Sequence, residues 1–446
     1  MHIYFFDKKF SLLLLFFGAI LLFFPKINLI SLSAGETAGI RVDDLVLLLI
    51  ASLIIWGHFI LNEKILKIEG WIVLLTVFSF LSFISNQLLV EINVLHINAK
   101  IYYVFRLFEY FLFFYIGLIA SRYRVGDQII KMFFAWNIFL MILQKFHIMG
   151  AISSVGYHAE ASSRVFGVAS FPSEMGLILN LLFCYFIFFN KELPSKFLLL
   201  FSAHTRYFLQ KLYVPFMFLL FGIFIVFTGN RISVLALFLC FLCKLKDEFN
   251  WRSIGSLIGL VVFSSVLIAG VVFVILKTKS VYERSASLIS WNNLELAEIL
   301  WDKIDLKGDA LTQETDVDAG GYDMSWWIRM HKWVFMAKCF ITHPQCYLQG
   351  LGPGFSGAAL DGGVLRILTE YGIVGFYIFY RFFKCLYCIN RQSKWMIIAF
   401  MTNMIFFDAY LAYKSMSVLL FITGYLKGNQ EQENTNIIAQ TPVRAL

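Results

Sequence analysis

Apolar runs of about 17–25 residues recur from one end of this chain to the other, and each is long enough to span ~30 Å of hydrocarbon as a helix. Helix is the form such runs take in lipid, because its backbone hydrogen bonds close within the segment. An outer-membrane barrel would instead show ~10-residue stretches of alternating polarity, and the sequence lacks them. Composition agrees: 59% hydrophobic residues against 15% charged ones leave too little polar surface for a soluble fold of 446 residues. The expected architecture is therefore an all-α polytopic membrane protein with about twelve spanning helices. They are placed at 10–25, 44–61, 71–90, 101–120, 129–148, 174–190, 213–229, 232–245, 254–276, 364–383, 395–411 and 413–427. The first run, Phe10 to Phe24, ends in Pro25-Lys26 with no small-residue cleavage site, and reads as a retained helix.

Charge sets the orientation. The net charge of +8 raises the question of nucleic acid, but the basic residues fall mainly in loops of one parity, as membrane insertion favours. With the N-terminus inside, the inner loops carry Lys8/Lys9, Lys64/Lys67, Arg122/Arg124, Lys191/Lys196/Arg206/Lys211, Lys244/Lys246/Arg252 and Arg381/Lys384/Arg391/Lys394. The short outer loops hold little beyond Lys26, Arg41, Lys100 and Arg164, so both termini are expected in the cytoplasm. Residues 197–212 read as an amphipathic helix on the inner surface. The chain thus divides into nine helices (1–276), a large outer loop (277–363), three more helices (364–427) and a cytoplasmic tail (428–446), polar and disordered from Glu431. Two helical patterns stand in the outer loop, near 281–303 and 325–342, and half of the ten tryptophans lie there. Cys339 and Cys346 are the two cysteines that parity places outside, where they can pair or simply pack.

Arginine on the outer side of a membrane protein asks for an anion, since its planar fork fits phosphate oxygens bidentately. The candidates are Arg164, Arg231 in Thr228-Gly229-Asn230-Arg231, Arg329, and Arg366, which opens the helix after the large loop. The alternative for each is snorkelling to headgroups or pairing with an acid. Arg106 and Glu109, three apart in the fourth helix, form an ion pair on one face. Outer-side acids are Glu174, Asp361 and Glu370, with Asp316 and Asp318 further out in a loop. A half-buried Asp361 suits a general base or a helix cap. Tryptophan rings, Trp333 among them, offer flat surfaces on which sugars stack or an interfacial belt. No GxSxG, HExxH, Walker loop or GxGxxG context appears, so any bond formation must draw on an activated substrate.

The order of motifs is similar to one family. Arg-x-x-Gly (164–167) precedes a helix, and Thr-Gly-Asn-Arg (228–231) joins two helices. Arg329 to Trp333 lies in the outer loop, followed by Gln349-Gly-Leu-Gly-Pro-Gly354 and Asp361-Gly-Gly-Val-Leu-Arg-Ile-Leu-Thr-Glu-Tyr-Gly372. Together they resemble the O-antigen polymerase and O-antigen ligase superfamily of bacterial envelope glycan enzymes, over residues 150–380. The resemblance implies a multi-pass protein of the bacterial inner membrane. Its substrate is an oligosaccharide linked through diphosphate to undecaprenol, and its product is O-antigen or a similar surface polysaccharide. Its outer-face arginines carry over to Arg164, Arg231 and Arg329, and its acceptor-activating position to Asp361. The expected site is then Arg231, Arg329 and Asp361 as catalytic, with Arg164 and the nearby candidates Glu174, Trp333, Arg366 and Glu370 as substrate-binding. No metal or cofactor is called for, because arginines do the neutralising; a chain-length regulator is a possible partner and nucleic acid is not. Ligases usually carry His-Asn where this chain has Asp361-Gly362, which favours the polymerase over the ligase. The rival from another class is a flippase or transporter of the lipid-linked oligosaccharide.

Overall fold

The computed structural model describes residues 8–26, 28–31, 39–41, parts of 44–52, 66–91, 100–153, 164–189, 203–248, 292–307, 324–355, 360, 362–390 and 393–440. Helices dominate. They run α1 Lys8–Phe23, α2 Lys67–Glu91, α3 Tyr102–Arg122, α4 Gly126–Lys145, α5 Pro172–Phe188, α6 Ala203–Thr228 and α7 Arg231–Glu248. After the large loop's α8 Asn292–Lys303, α9 Met324–Thr342 and α10 Cys346–Gln349 come α11 Gly363–Tyr387, α12 Ser393–Asn403 and α13 Tyr413–Gln440, with a 3-10 turn at Ala409–Leu411. By length and composition α2, α3 and α4 can each cross a membrane, and shorter apolar helices cover Ser11–Phe23, Pro172–Phe188 and Tyr213–Thr228. Their exposed faces are apolar, as on Val77 and Leu81 of α2 and Phe139 of α4, which suits lipid and not water.

Inside the bundle, α5 is buried along nearly its whole length and packs against α6, α7, α12 and α13. The α3–α13 pair is the most extensive among the described elements. Gly117 and Gly424 make it so: a Cβ on either would overlap the facing helix's backbone carbonyl, at Phe421 or Phe114. Small residues at a membrane helix interface allow this approach. A second core, separate from the main one, joins α8, α9 and α10 with Leu351, Phe355 and Leu360, and rests on Phe83, Leu89 and Val90 near the C-terminal end of α2. Parity assigns that end of α2 to the same side as the large loop, so packing and charge agree. Lys338 of α9 fastens α8 by donating to the Trp301 and Ile304 carbonyls at 2.8 and 2.7 Å, a cation on a helix C-terminus. Cys339 and Cys346 are free thiols in this core; burial raises both, Cys346 to about 11.

Several expectations need correcting. A two-stranded antiparallel ribbon, Asn28–Ser31 with Gly39–Arg41, interrupts the all-α reading. Residues 395–411 are not one spanning helix: α12 stops at Asn403, because the chain turns there to bring Asp408 into the buried network described below. Residues 203–212, expected on the inner surface, continue directly into α6 despite Pro215. The tail is helical to Gln440 rather than disordered from Glu431. The pattern at 325–342 coincides with α9, and α8 matches the 292–303 part of the pattern at 281–303, whose first residues lie outside the described ones. The span expected at 254–276 lies outside the described residues.

Candidate functional site

Each of the quoted motifs is held by buried polar side chains. Arg-x-x-Gly (164–167) lies against α4, where Gln144 Oε1 accepts from the Phe166 and Gly167 amides at 3.0 and 2.9 Å. Asn137 Oδ1 accepts from the Val168 amide at 3.2 Å. Arg164 donates to the Gly229 carbonyl at 3.2 Å, which brings it onto the Thr228–Arg231 turn. Asn230 in that turn donates to the Ser173 carbonyl and to Ser233 Oγ. Arg231 is the first residue of α7. So Arg164 and the N-terminus of α5 share one end of the bundle with Arg231, which is distant from both in sequence.

Glu174 is buried at that helix start and its carboxylate is engaged. One oxygen accepts from the Ser170 amide at 2.9 Å, the other from the Lys414 and Ser415 amides at 2.8 and 3.4 Å. An acid at a helix N-terminus satisfies donors the helix itself cannot, and here Glu174 caps α13 from α5. The Lys414 ammonium, also buried, donates to the carbonyls of Leu21 and Leu22 in the last turn of α1.

The large loop re-enters the bundle through a denser network. Arg366 is fully buried; Nε donates to Glu370 Oε1 and one terminal nitrogen to Asp408 Oδ2, both at 2.7 Å. Glu370 also accepts from Tyr410 Oη at 2.7 Å and the Gly354 amide at 3.0 Å. Asp408 also accepts from the Leu360 and Gly362 amides at 2.8 and 3.1 Å. Every charge here has an opposite partner and at least two hydrogen bonds, the condition under which buried charge is tolerated. The Leu360 carbonyl accepts in turn from Trp333 Nε1 at 3.3 Å, linking α9 to the re-entry point. Arg329 stands one turn before Trp333 on the same helix, partly exposed.

The helix that carries Arg366 is broken. Gly372 has φ +63°, outside helical values, within α11. A break frees the carbonyls of the preceding turn, and the Gln349–Gly354 motif takes them: the Leu351 amide donates to the Thr369 carbonyl at 2.7 Å and the Gly352 amide to the Glu370 carbonyl at 3.0 Å. Ser82 and Ser85 of α2 hold Gln349 from below, at 2.7 and 2.6 Å.

A continuous chain of contacts therefore joins the motifs. It runs from Arg164 to Gly229, through Asn230 and Ser233 to Asn403 at 2.7 Å, and through the Val364–Met404 backbone bond to Arg366, Asp408, Leu360 and Trp333. Asp361 lies outside the described residues, between Leu360 and Gly362, both of which Asp408 holds. Arg106 pairs with Glu109 at 3.2 Å, as its spacing implied, and also with Asp44 at 3.4 Å. Asp408, Tyr410, Asn403, Asn137 and Gln144 escaped the sequence reading; the one signal they offered was a polar residue within an apolar run. Compared with known proteins, this chain matches no family model, no curated protein and no solved structure.

Proposed function

We propose that this chain polymerises undecaprenyl-diphosphate-linked oligosaccharide repeat units at the outer face of the bacterial inner membrane, as an O-antigen polymerase. The observation that carries the reading is the contact chain just described, which gathers the motifs of the resemblance around one end of the bundle. In the reaction the bond from the anomeric carbon to the diphosphate breaks and a glycosidic bond to an acceptor hydroxyl forms. Undecaprenyl diphosphate leaves, and the hydroxyl proton passes to Asp361. Arg164, Arg231 and Arg329 neutralise the charge that grows on the diphosphate, each donor contributing about 3 kcal/mol. Proton acceptance by Asp361 adds ~10²–10⁴-fold. Trp333 offers a ring to the sugar beside the re-entry point. Arg366, Glu370 and Glu174 have their charged groups engaged within the protein, and they serve as positioning residues for Asp408, which holds Leu360 and Gly362, and for the ends of α5 and α13.

Purified protein supplied only with lipid-linked repeat units tests the reading: longer lipid-linked chains are expected. Arg231→Ala and Arg329→Ala should each abolish lengthening while leaving folded protein in the membrane, and Asp361→Asn should lower turnover by at least about 10². Wild-type chain lengths in either arginine variant make that arginine structural. The break in α11 favours one second reading, since interrupted helices are a feature of transporters. Movement of the lipid-linked unit across the bilayer without new bonds would establish it.

A further inference from the structure

At the opposite end of α11 lies a cavity of about 540 Å³. Its wall carries four cations from three helices: Lys67 at the start of α2, Arg381 and Lys384 near the end of α11, and Lys427 on α13. Ile68 and Phe114 give it an apolar floor. Among the described residues one carboxylate answers these charges at close range, Glu431, which pairs with Lys427 at 3.3 Å. The other acid on this stretch of α2, Glu69, is buried and accepts from the Leu66 amide and Tyr115 Oη at 2.5 Å each. The rim is aromatic: Arg381 lies 4.8 Å over the Trp71 ring and donates to Tyr377 Oη at 2.6 Å, and Lys384 lies 5.7 Å from the Tyr380 ring. From the rim an exposed apolar wall continues along both flanking helices, through Val73 and Val77 of α2 and Ile373, Val374 and Tyr377 of α11.

We propose that this cavity binds the headgroup of an anionic phospholipid of the cytoplasmic leaflet, one bearing more than one phosphate, with its acyl chains along the α2–α11 wall. Three features select a lipid over a free phosphate. The cations sit at the level of a tryptophan–tyrosine belt, where headgroups lie. The cavity opens beside a wall whose exposed residues are apolar. Basic pockets between transmembrane helices on the cytoplasmic side recognise polyanionic headgroups, through charges that water screens less there than on an open surface. The inference is independent of the glycan-joining reading, because it is tested by binding and not by turnover.

The full-length protein in neutral detergent is titrated with a diphosphatidylglycerol, with phosphatidylcholine of the same acyl chains, and with inorganic pyrophosphate, following Tm. The diphosphatidyl lipid should raise Tm saturably and phosphatidylcholine should not. Lys67→Gln with Lys384→Gln should need at least about tenfold more of the acidic lipid for the same rise, whereas Lys67→Arg with Lys384→Arg should bind as wild type. Lys131→Gln, which removes an exposed cation of α4, should also bind as wild type. Should the double glutamine variant fail to fold, the wild-type arms decide. An equal rise with pyrophosphate at equal phosphate concentration, no rise with the acidic lipid, or an equal loss in Lys131→Gln overturns the proposal.

Discussion

Arg366 is a guanidinium closed off from solvent by the acids it holds, and its removal is the most informative single change at this end of the bundle. Arg366→Ala would leave Glu370 and Asp408 buried without a countercharge, at a cost of about 3–5 kcal/mol. Arg366→Lys should recover only part of this, because one ammonium cannot present two donors in the plane that reaches both carboxylates. Thermal unfolding of the purified variants checks the ranking: alanine lowest, lysine between, wild type highest. Half of this cluster was legible in the sequence. Arg366 and Glu370 stand four apart at a helix start, which places them on one face. Asp408 and Tyr410 were hidden by distance along the chain and by their setting in an apolar run that reads as a span. Nothing local to residues 395–411 says that the helix ends at Asn403; what ends it is the demand of Arg366 for a second carboxylate, a tertiary fact.

Among the elements, α11 departs furthest from its sequence signal. Hydropathy averaged over 364–383 gives one uniform run, and the only mark of the interruption is a glycine after Tyr371. At φ +63° other residues are strained, and a Cβ on Gly372 would stand 2.5 Å from the Leu348 carbonyl oxygen, so backbone would have to move. Gly372→Ala is therefore expected to cost more than the ~1–3 kcal/mol of a strained conformation alone. Its signature is local: the amides of Leu351 and Gly352, bonded to the freed carbonyls, should exchange with deuterium faster than in wild type, while amides of α3 and α13 keep their protection. Uniform loss of protection would instead place Gly372 in the global core. The helices of the large loop were readable, since α8 and α9 show the helical period plainly. The ribbon at 28–41 was not, because three- and four-residue strands carry too little pattern.

For the molecule as a whole, the alternation of basic and neutral loops predicts that the large loop faces outward, while the packing of its core on α2 places it at the same end of the bundle as the C-terminus of that helix. Cys388, an exposed thiol at the end of α11, gives a direct reading. In intact spheroplasts an impermeant maleimide should leave the Cys388 peptide unmodified, and in inverted vesicles it should modify it. Labelling in spheroplasts would invert the topology and with it the sides that the basic cavity and the large-loop core face. One further consequence comes from Lys414, whose ammonium rests on the carbonyls that end α1 while its own amide is held by Glu174. The ribosome makes α1 long before α13, so α1 enters the bilayer before the cation that answers its end exists. Until α13 arrives beside α3, the Leu21 and Leu22 carbonyls await the Lys414 ammonium. A nascent chain halted short of residue 413 therefore lacks both that ammonium and the amides that Glu174 holds.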